Sequence, residues 1–294
     1  MRARILGAIV AAGLTVACVS PASPDAPDGL ARRIVSLDYC ADQYVLGLAE
    51  RSRILALSPD AGEAFSYLRA AADGVPMVRP RAEDVLALRP DLVVRSYGGG
   101  PRAQAFFERS GVPVLQIDYA SDIAAVRAGV RDAAAGLGVP TRGEALIAEM
   151  DARIERARAG GSGTRTLYLT PAGVSAGSGT FVHHLIEAAG LGNFDDRSGW
   201  RSIPLERLAY EAPDVYAVPS FGATNHEHAW TPFRHPVATE RVAAGPALGI
   251  DGATTACGAW FLADAVEAFA AGAAGAADAA SDAGVAGASR ALRP

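Results

Sequence analysis

A segment that occurs twice constrains this chain more than any other feature. Glu83-Asp-Val-Leu-Ala-Leu-Arg-Pro-Asp-Leu-Val-Val and Glu206-Arg-Leu-Ala-Tyr-Glu-Ala-Pro-Asp-Val-Tyr-Ala-Val each place a glutamate seven residues ahead of a Pro-Asp pair. Each copy reads as a short helix that Pro90 or Pro213 stops and that feeds directly into an apolar strand. Such a connection is common in α/β chains, but here its surroundings repeat too: RRIVSL precedes a helix in the first half and RTLYLT precedes one in the second. Short β-rich runs (IVSL, ILAL, DLVV, PVLQI, TLYL, VYAV) alternate with helical patterns over 41–49, 82–88, 102–110, 180–189 and 205–210. That rhythm predicts parallel sheets covered by helices.

Between the copies the rhythm breaks at Pro140. TRGEALIAEMDARIERARA carries Ile147, Met150 and Ile154 at helical spacing, Glu144 completes a capping box with Thr141, and GGSG follows. One long helix over 140–160 is expected. The economical architecture is α/β, with two Rossmann-like lobes built on central sheets, 31–139 and 164–270, joined by that helix and enclosing a ligand cleft. The small-residue run after Ala271 has little apolar area to bury, so 271–294 is expected to be a weakly helical or unstructured tail.

Composition narrows the partners. The net charge is −5 and no Lys/Arg cluster stands out, which excludes the concentrated basic face that nucleic acid requires. Arg2 and Arg4 precede the apolar run ILGAIVAAGLTVA, which ends in small residues before a Pro-rich stretch. This is the layout of a cleaved signal peptide over 1–22, with Ser20 and Ala22 at the cleavage positions. Cys18 after Thr-Val-Ala loosely matches a lipoprotein box, so a lipid anchor there is the alternative to cleavage. The expected place of work is the periplasm.

RRIVSLDYCADQYVLGLA, AEDVLALRPDLVV, GVPVLQID and CGAWFLADAVEAFA, in this order and spacing across 32–270, resemble the substrate-binding proteins of ATP-binding cassette importers. The group concerned is the helix-linked two-lobe one that captures cobalamin, ferric siderophores and haem. The resemblance implies a monomeric binding protein without catalysis or cofactor, which delivers a ferric siderophore or cobalamin-type ligand to an inner-membrane permease. In that group one exposed glutamate per lobe docks into arginine pockets of the permease, and Glu83 and Glu206 match those positions. Carboxylates meeting guanidinium forks fix orientation and register. An acidic residue in the first turn of a helix is also favoured by the helix dipole with no partner at all.

A ligand between two such lobes meets the loops after the strands, which selects Tyr39, Pro59, Tyr97, Thr170, Trp200 and Phe221. Trp200 stands six residues before Glu206, where cobalamin binders of the group carry tryptophan; the first-lobe counterpart is Met77, and Ser96 stands where those binders have a second Trp. Packing in the core is the other reading of Trp200. Arg79, Arg81, Arg95 and Tyr97 suit an anionic siderophore, or are surface. A zinc or manganese receptor using His226 and His228, with His235 near, is a further alternative, although the first lobe after the leader has no histidine. A secreted serine hydrolase would use Gly173-Val-Ser175-Ala-Gly177 with Asp214 and His226. An elbow needs its serine where a strand runs straight into a helix, and TLYLT ends five residues earlier with Pro171 between. Gly98–Pro101 follows a strand but lacks the Lys-Ser/Thr of a phosphate loop.

Past the leader, Cys40 and Cys257 remain, both after expected strand ends. In an oxidising compartment they form either a disulfide or two buried thiols. The group usually has Gly-Gly-Pro after the second cysteine; Gly258-Ala-Trp260 stands here, which makes Trp260 a further ligand candidate.

Overall fold

The computed structural model describes residues 30–161, 163–221 and 234–291, with side chains as far as residue 276. The leader over 1–22, including Cys18, lies outside the described residues, as do His226 and His228.

The first half contains, in chain order, β1 (Ile34–Ser36), α1 (Tyr39–Leu48), β2 (Ile54–Ala56), α2 (Ala82–Ala87), β3 (Leu92–Arg95), α3 (Ala103–Arg109), β4 (Val114–Gln116) and α4 (Ile123–Gly136). Its strands form one parallel sheet in the order β2-β1-β3-β4. β1 and β3 are wholly buried, which is why IVS and LVV read as unbroken apolar runs rather than as alternation. α4 occupies a stretch for which the sequence rhythm predicted no element. Asp122 caps it, its side chain accepting from the Ala125 amide.

α5 (Pro140–Arg158) is the long helix expected between the halves. Its capping box does not form. Pro140 already occupies the first turn, so Thr141 lies inside the helix, and Glu144 instead accepts from Arg131 of α4 at 2.7 Å. The second half runs β5 (Arg165–Tyr168), β6 (Val174–Ala176), α6 (Phe181–Ala188), β7 (Gly192–Asn193), β8 (Trp200–Ser202), α7 (Leu205–Tyr210), β9 (Val215–Ser220), α8 (Pro236–Ala244), β10 (Ala247–Asp251), α9 (Ala253–Ala256) and α10 (Leu262–Ala291). Its parallel sheet is ordered β10-β9-β5-β7, while β6 and β8 form a separate antiparallel ribbon.

Numbered along the chain within each sheet, the strands of both halves are ordered 2-1-3-4. The repeated helix, α2 or α7, precedes the third strand in both. The sequence repeat is thus a repeat of topology. A single core cluster runs through both halves, joining Ile34, Val45 and Val94 to Tyr168, Phe181 and Phe269 by way of Ile147 and Met150 of α5. The outer face of each sheet has its own smaller cluster, centred on Val93 and Phe107 in one and on Leu167 and Tyr216 in the other.

After α9 the chain crosses to the first half. Cys257 is disulfide-bonded to Cys40. The Tyr44 hydroxyl donates to the Gly258 carbonyl at 2.7 Å. Tyr67 stacks on Phe261 at 4.2 Å and donates to Asp264. The Trp260 ring lies so close over Gly47 that a Cβ there would come within 2.1 Å of it. From this anchor α10 packs on α5 and β10. It continues as helix through the Ala/Gly-rich segment to Ala291, where a weakly helical or unstructured tail was expected; alanine's helix propensity outweighs the scattered glycines.

A buried carboxylate ties α1 to the loop after β2. Asp42 is fully buried and accepts from the Ser58 amide at 3.1 Å and from the Ser58 hydroxyl at 2.6 Å. Burial pushes its carboxyl up to about 6, against the opposing hydrogen bonds from Ser58 and Ser36.

Two outcomes follow for stability. The disulfide spans 217 residues of chain, so Cys40→Ser with Cys257→Ser is expected to cost up to about 5 kcal/mol by loop-closure entropy. Denaturant unfolding with and without reductant measures this, and coincident curves would contradict it. For Asp42, the folded carboxyl binds a proton that the unfolded one, near 3.8, has already lost. Its contribution is therefore present at low pH and is lost as pH rises through about 6. Asp42→Asn lacks that loss, so the variant should gain on the wild type by about 2 kcal/mol between about pH 4 and pH 7. Parallel stability profiles would refute the assignment.

Candidate functional site

Open parallel sheets present their loops at the carboxyl ends of the strands. In the first half the loops after β1 and β3 meet at Asp38, which separates β1 from α1. One carboxylate oxygen, Oδ1, accepts from the Ala41 amide at 3.0 Å and caps α1. The other, Oδ2, accepts from three consecutive amides beyond β3: Ser96 at 2.7 Å, Tyr97 at 3.1 Å and Gly98 at 2.9 Å. Asp38 is 2% exposed, and these donors are what make a buried carboxylate tolerable.

On this base stand Tyr39 and Tyr97. Their ring centroids lie 6.0 Å apart, edge to face, and Tyr39 also meets Phe65 at 5.0 Å. The Tyr39 hydroxyl donates to the Ala256 carbonyl at 3.1 Å, across to the second half. The neighbouring Thr255 hydroxyl lies 3.3 Å from the Tyr168 hydroxyl, and the Tyr168 ring meets Trp200 at 6.2 Å. An aromatic line therefore runs Tyr97, Tyr39, the Ala256–Thr255 backbone, Tyr168, Trp200. Its two ends are open, with Tyr97 53% and Trp200 50% exposed, whereas Tyr168 is buried. Partial burial, then the neighbouring Tyr39 and Asp38, hold the Tyr97 phenol above its ordinary range, so it stands protonated at neutral pH.

The other candidates divide. Pro59 is exposed at the start of a short 3-10 turn whose cap, Ser58, is bonded to Asp42, so it shares the Asp38 neighbourhood. The Thr170 hydroxyl accepts from the Val174 amide at 3.1 Å and shapes the turn into β6. Phe221 packs against Gly252, where a Cβ would come within 2.4 Å of its ring. Trp260 lies on Tyr44 at 5.8 Å as part of the crossing segment. Sequence reasoning passed over Tyr119, which is 77% exposed and follows β4, although the strand-end rule that selected Tyr39 and Tyr97 applies to it equally.

Glu83 and Glu206 occupy the first turns of α2 and α7 and are exposed. Among the described residues neither forms a salt bridge, while their neighbours do: Asp84 pairs with Arg79 at 3.0 Å and Arg207 with Glu211 at 2.8 Å.

Of the hydrolase candidates, the serine is not placed as a nucleophile elbow requires. Ser175 lies in mid-strand in β6, opposite Arg201, and is fully buried. The described residues hold one cluster with metal-ligand potential, His183, His184 and Glu187, whose donor atoms lie within 4.8 Å of one another. The chemistry of His183 opposes a metal there. The Asn193 amide is fixed, its Nδ2 donating to the Ala176 carbonyl and its Oδ1 accepting from the Asp195 amide, so it presents a donor to His183 Nδ1 at 3.2 Å. The ring proton then sits on Nε2, facing Glu187 at 3.3 Å, on the nitrogen a metal would need bare. Metal-binding imidazoles instead donate from the second nitrogen.

Residues 34–227 match the family model described as periplasmic binding protein. No curated protein matches the chain. Among solved structures, the periplasmic haem-binding protein BhuT in complex with two haems is 25% identical, with a TM-score of 0.63 over 84% of this chain and 99% of that one. The periplasmic haem-binding protein RhuT from Roseiflexus sp. RS-1, in apo form, is also 25% identical, with a TM-score of 0.61 over 82% and 99%. The periplasmic vitamin B12 binding protein BtuF of Vibrio cholerae shares the fold at 18% identity, with a TM-score of 0.59 over 84% and 98%. With two sheets of one topology and a family match over residues 34–227, the chain belongs to the periplasmic binding proteins that serve ATP-binding cassette importers.

Proposed function

We propose that this protein captures a planar iron tetrapyrrole, haem, in the periplasm and hands it to an inner-membrane permease. The observation that carries this reading is the aromatic line open at both ends, with an exposed phenol on one half and an exposed indole on the other. A macrocycle presents two large π faces and a central ferric ion. Aromatic side chains suit the faces, and tyrosine oxygen is an established type of axial ligand for ferric haem. The likeness to two haem-binding proteins at 25% identity supports the same ligand class. A corrinoid or a ferric siderophore, the ligands that the sequence resemblance implies, fills the same kind of cleft, with Trp200 against a corrin face in the first case. In this reading Glu83 and Glu206 are the permease contacts, placed on equivalent helices so that two fixed carboxylates define both position and rotation.

The ligand is tested by adding ferric haem, cobalamin and a ferric hydroxamate siderophore separately to purified protein, reading the melting temperature and the visible spectrum. Haem is expected to raise the midpoint and to give the charge-transfer bands of a phenolate-bound ferric iron. Tyr97→Phe should abolish those bands, and Trp200→Ala should weaken binding by about tenfold, or about 1.4 kcal/mol. A shift with cobalamin or siderophore and none with haem would replace the assignment. Separately, Glu83→Ala with Glu206→Ala should weaken association with the reconstituted importer while ligand affinity stays unchanged; undiminished association would remove both residues from the docking surface.

A further inference from the structure

The loop that carries Tyr97 is gripped on both of its polar edges. Its amides at Ser96, Tyr97 and Gly98 converge on one oxygen of Asp38. Its carbonyls are held from the other side: Gln116 donates to the Ser96 carbonyl at 2.7 Å, and buried Arg95 donates to those of Gly98 at 2.9 Å and Gly100 at 3.1 Å. Gly98 allows this approach, since a Cβ there would lie 2.3 Å from the Leu37 carbonyl oxygen. A carboxylate below and a guanidinium beside the loop thus fix the backbone on either side of a single exposed side chain.

We propose that Asp38 is a positioning residue for Tyr97, holding the phenol where the ligand's metal or ring meets it. This rests on the reading that Tyr97 faces the ligand. The two oxygens of Asp38 have separate tasks, one capping α1 and the other gathering the loop amides. A carboxamide performs only one of them, because its NH2 group faces either the cap amide or the three loop amides as donor against donor. Asp38→Asn is therefore a near-isosteric change that releases the loop or the cap. A substitution that merely weakened the fold would act on any ligand contact alike, whereas positioning acts through Tyr97.

The test is a double-mutant cycle on Asp38→Asn and Tyr97→Phe with ferric haem as probe, alongside amide hydrogen exchange of the ligand-free proteins. Asp38→Asn is expected to speed exchange at Ser96, Tyr97 and Gly98, to shift the charge-transfer bands and to weaken haem binding by about tenfold. The double variant should bind no more weakly than Tyr97→Phe alone. Unchanged exchange at those three amides, or losses that multiply in the double variant, would overturn the proposal. If wild type gives no spectral response to haem, the haem reading falls on its own. The same cycle, run by melting temperature with whichever of cobalamin or ferric siderophore shifts the wild type, then decides the role of Asp38. Should Asp38→Asn fail to fold, Gln116→Ala releases the Ser96 carbonyl without touching the helix cap. It should speed exchange at the same amides and show the same non-additivity with Tyr97→Phe, and additive losses would overturn the proposal.

Discussion

The passage of the chain from Cys257 to Phe261 back onto the first half is the constraint on which the rest depends. Two similar α/β units joined only by α5 would share one connection. Here a second connection crosses beside the disulfide, and Tyr44, Tyr67 and Gly47 all receive it. Arg153 of α5 completes the junction by pairing with both Asp264 and Glu267 of α10. The bond from Tyr39 to Ala256 lies next to this crossing. Wide separation of the halves would break the Tyr39, Tyr44 and Tyr67 bonds together and strain against a covalent link. The aromatic line is accordingly the surface of a continuous core, not the meeting of two independent walls.

Much of this architecture was legible because it is written in local chemistry. The Pro-Asp repeat marked α2 and α7, and the bounds expected for α7 match Leu205–Tyr210. Pro140 marked the start of α5. What escaped has physical reasons. α4 buries Val126, Val130, Ala133 and Ala134, a stripe half made of alanine, which carries little hydrophobic contrast for a periodicity to reveal. The ribbon of β6 and β8 lies among glycine and polar residues, and its exposed strand, Trp200–Ser202, has no buried face to mark it. The tail was judged by the apolar area it lacks, whereas the anchoring of α10 at its start is a tertiary fact.

The candidate side chains were legible in the sequence, and the groups that support them were not. Tyr39 and Tyr97 follow from the rule that ligands meet strand ends, but nothing adjacent to Asp38 and Asp42 in the chain accounts for their burial. Their burial depends on donors from Ser58 and from Ser96 to Gly98, and the latter lie 58 to 60 positions along the chain from Asp38. No local pattern announces such a match. Trp260 drew notice because Gly258-Ala-Trp260 replaces the usual Gly-Gly-Pro, and its packing over Gly47, which is 213 positions away, is likewise absent from any local pattern.

The two halves repeat a topology without repeating a chemistry. At the end of β3 in the first half a carboxylate and a guanidinium hold the loop backbone, so in the proposed reading the phenol it carries would have little backbone freedom to lose on binding. The corresponding third-strand loop of the second half, after β9, has Phe221 packed against Gly252 instead, and the open aromatic surface comes from Trp200 on the added ribbon. A polar, pre-organised phenol contributes direction, because coordination and hydrogen bonding depend on angle. An indole contributes area, because stacking tolerates sliding and rotation of the partner. In the haem reading proposed above, a flat ligand between them would take its orientation from the first half and its stacking area from the second, and the duplicated scaffold with unlike strand-end loops would supply both.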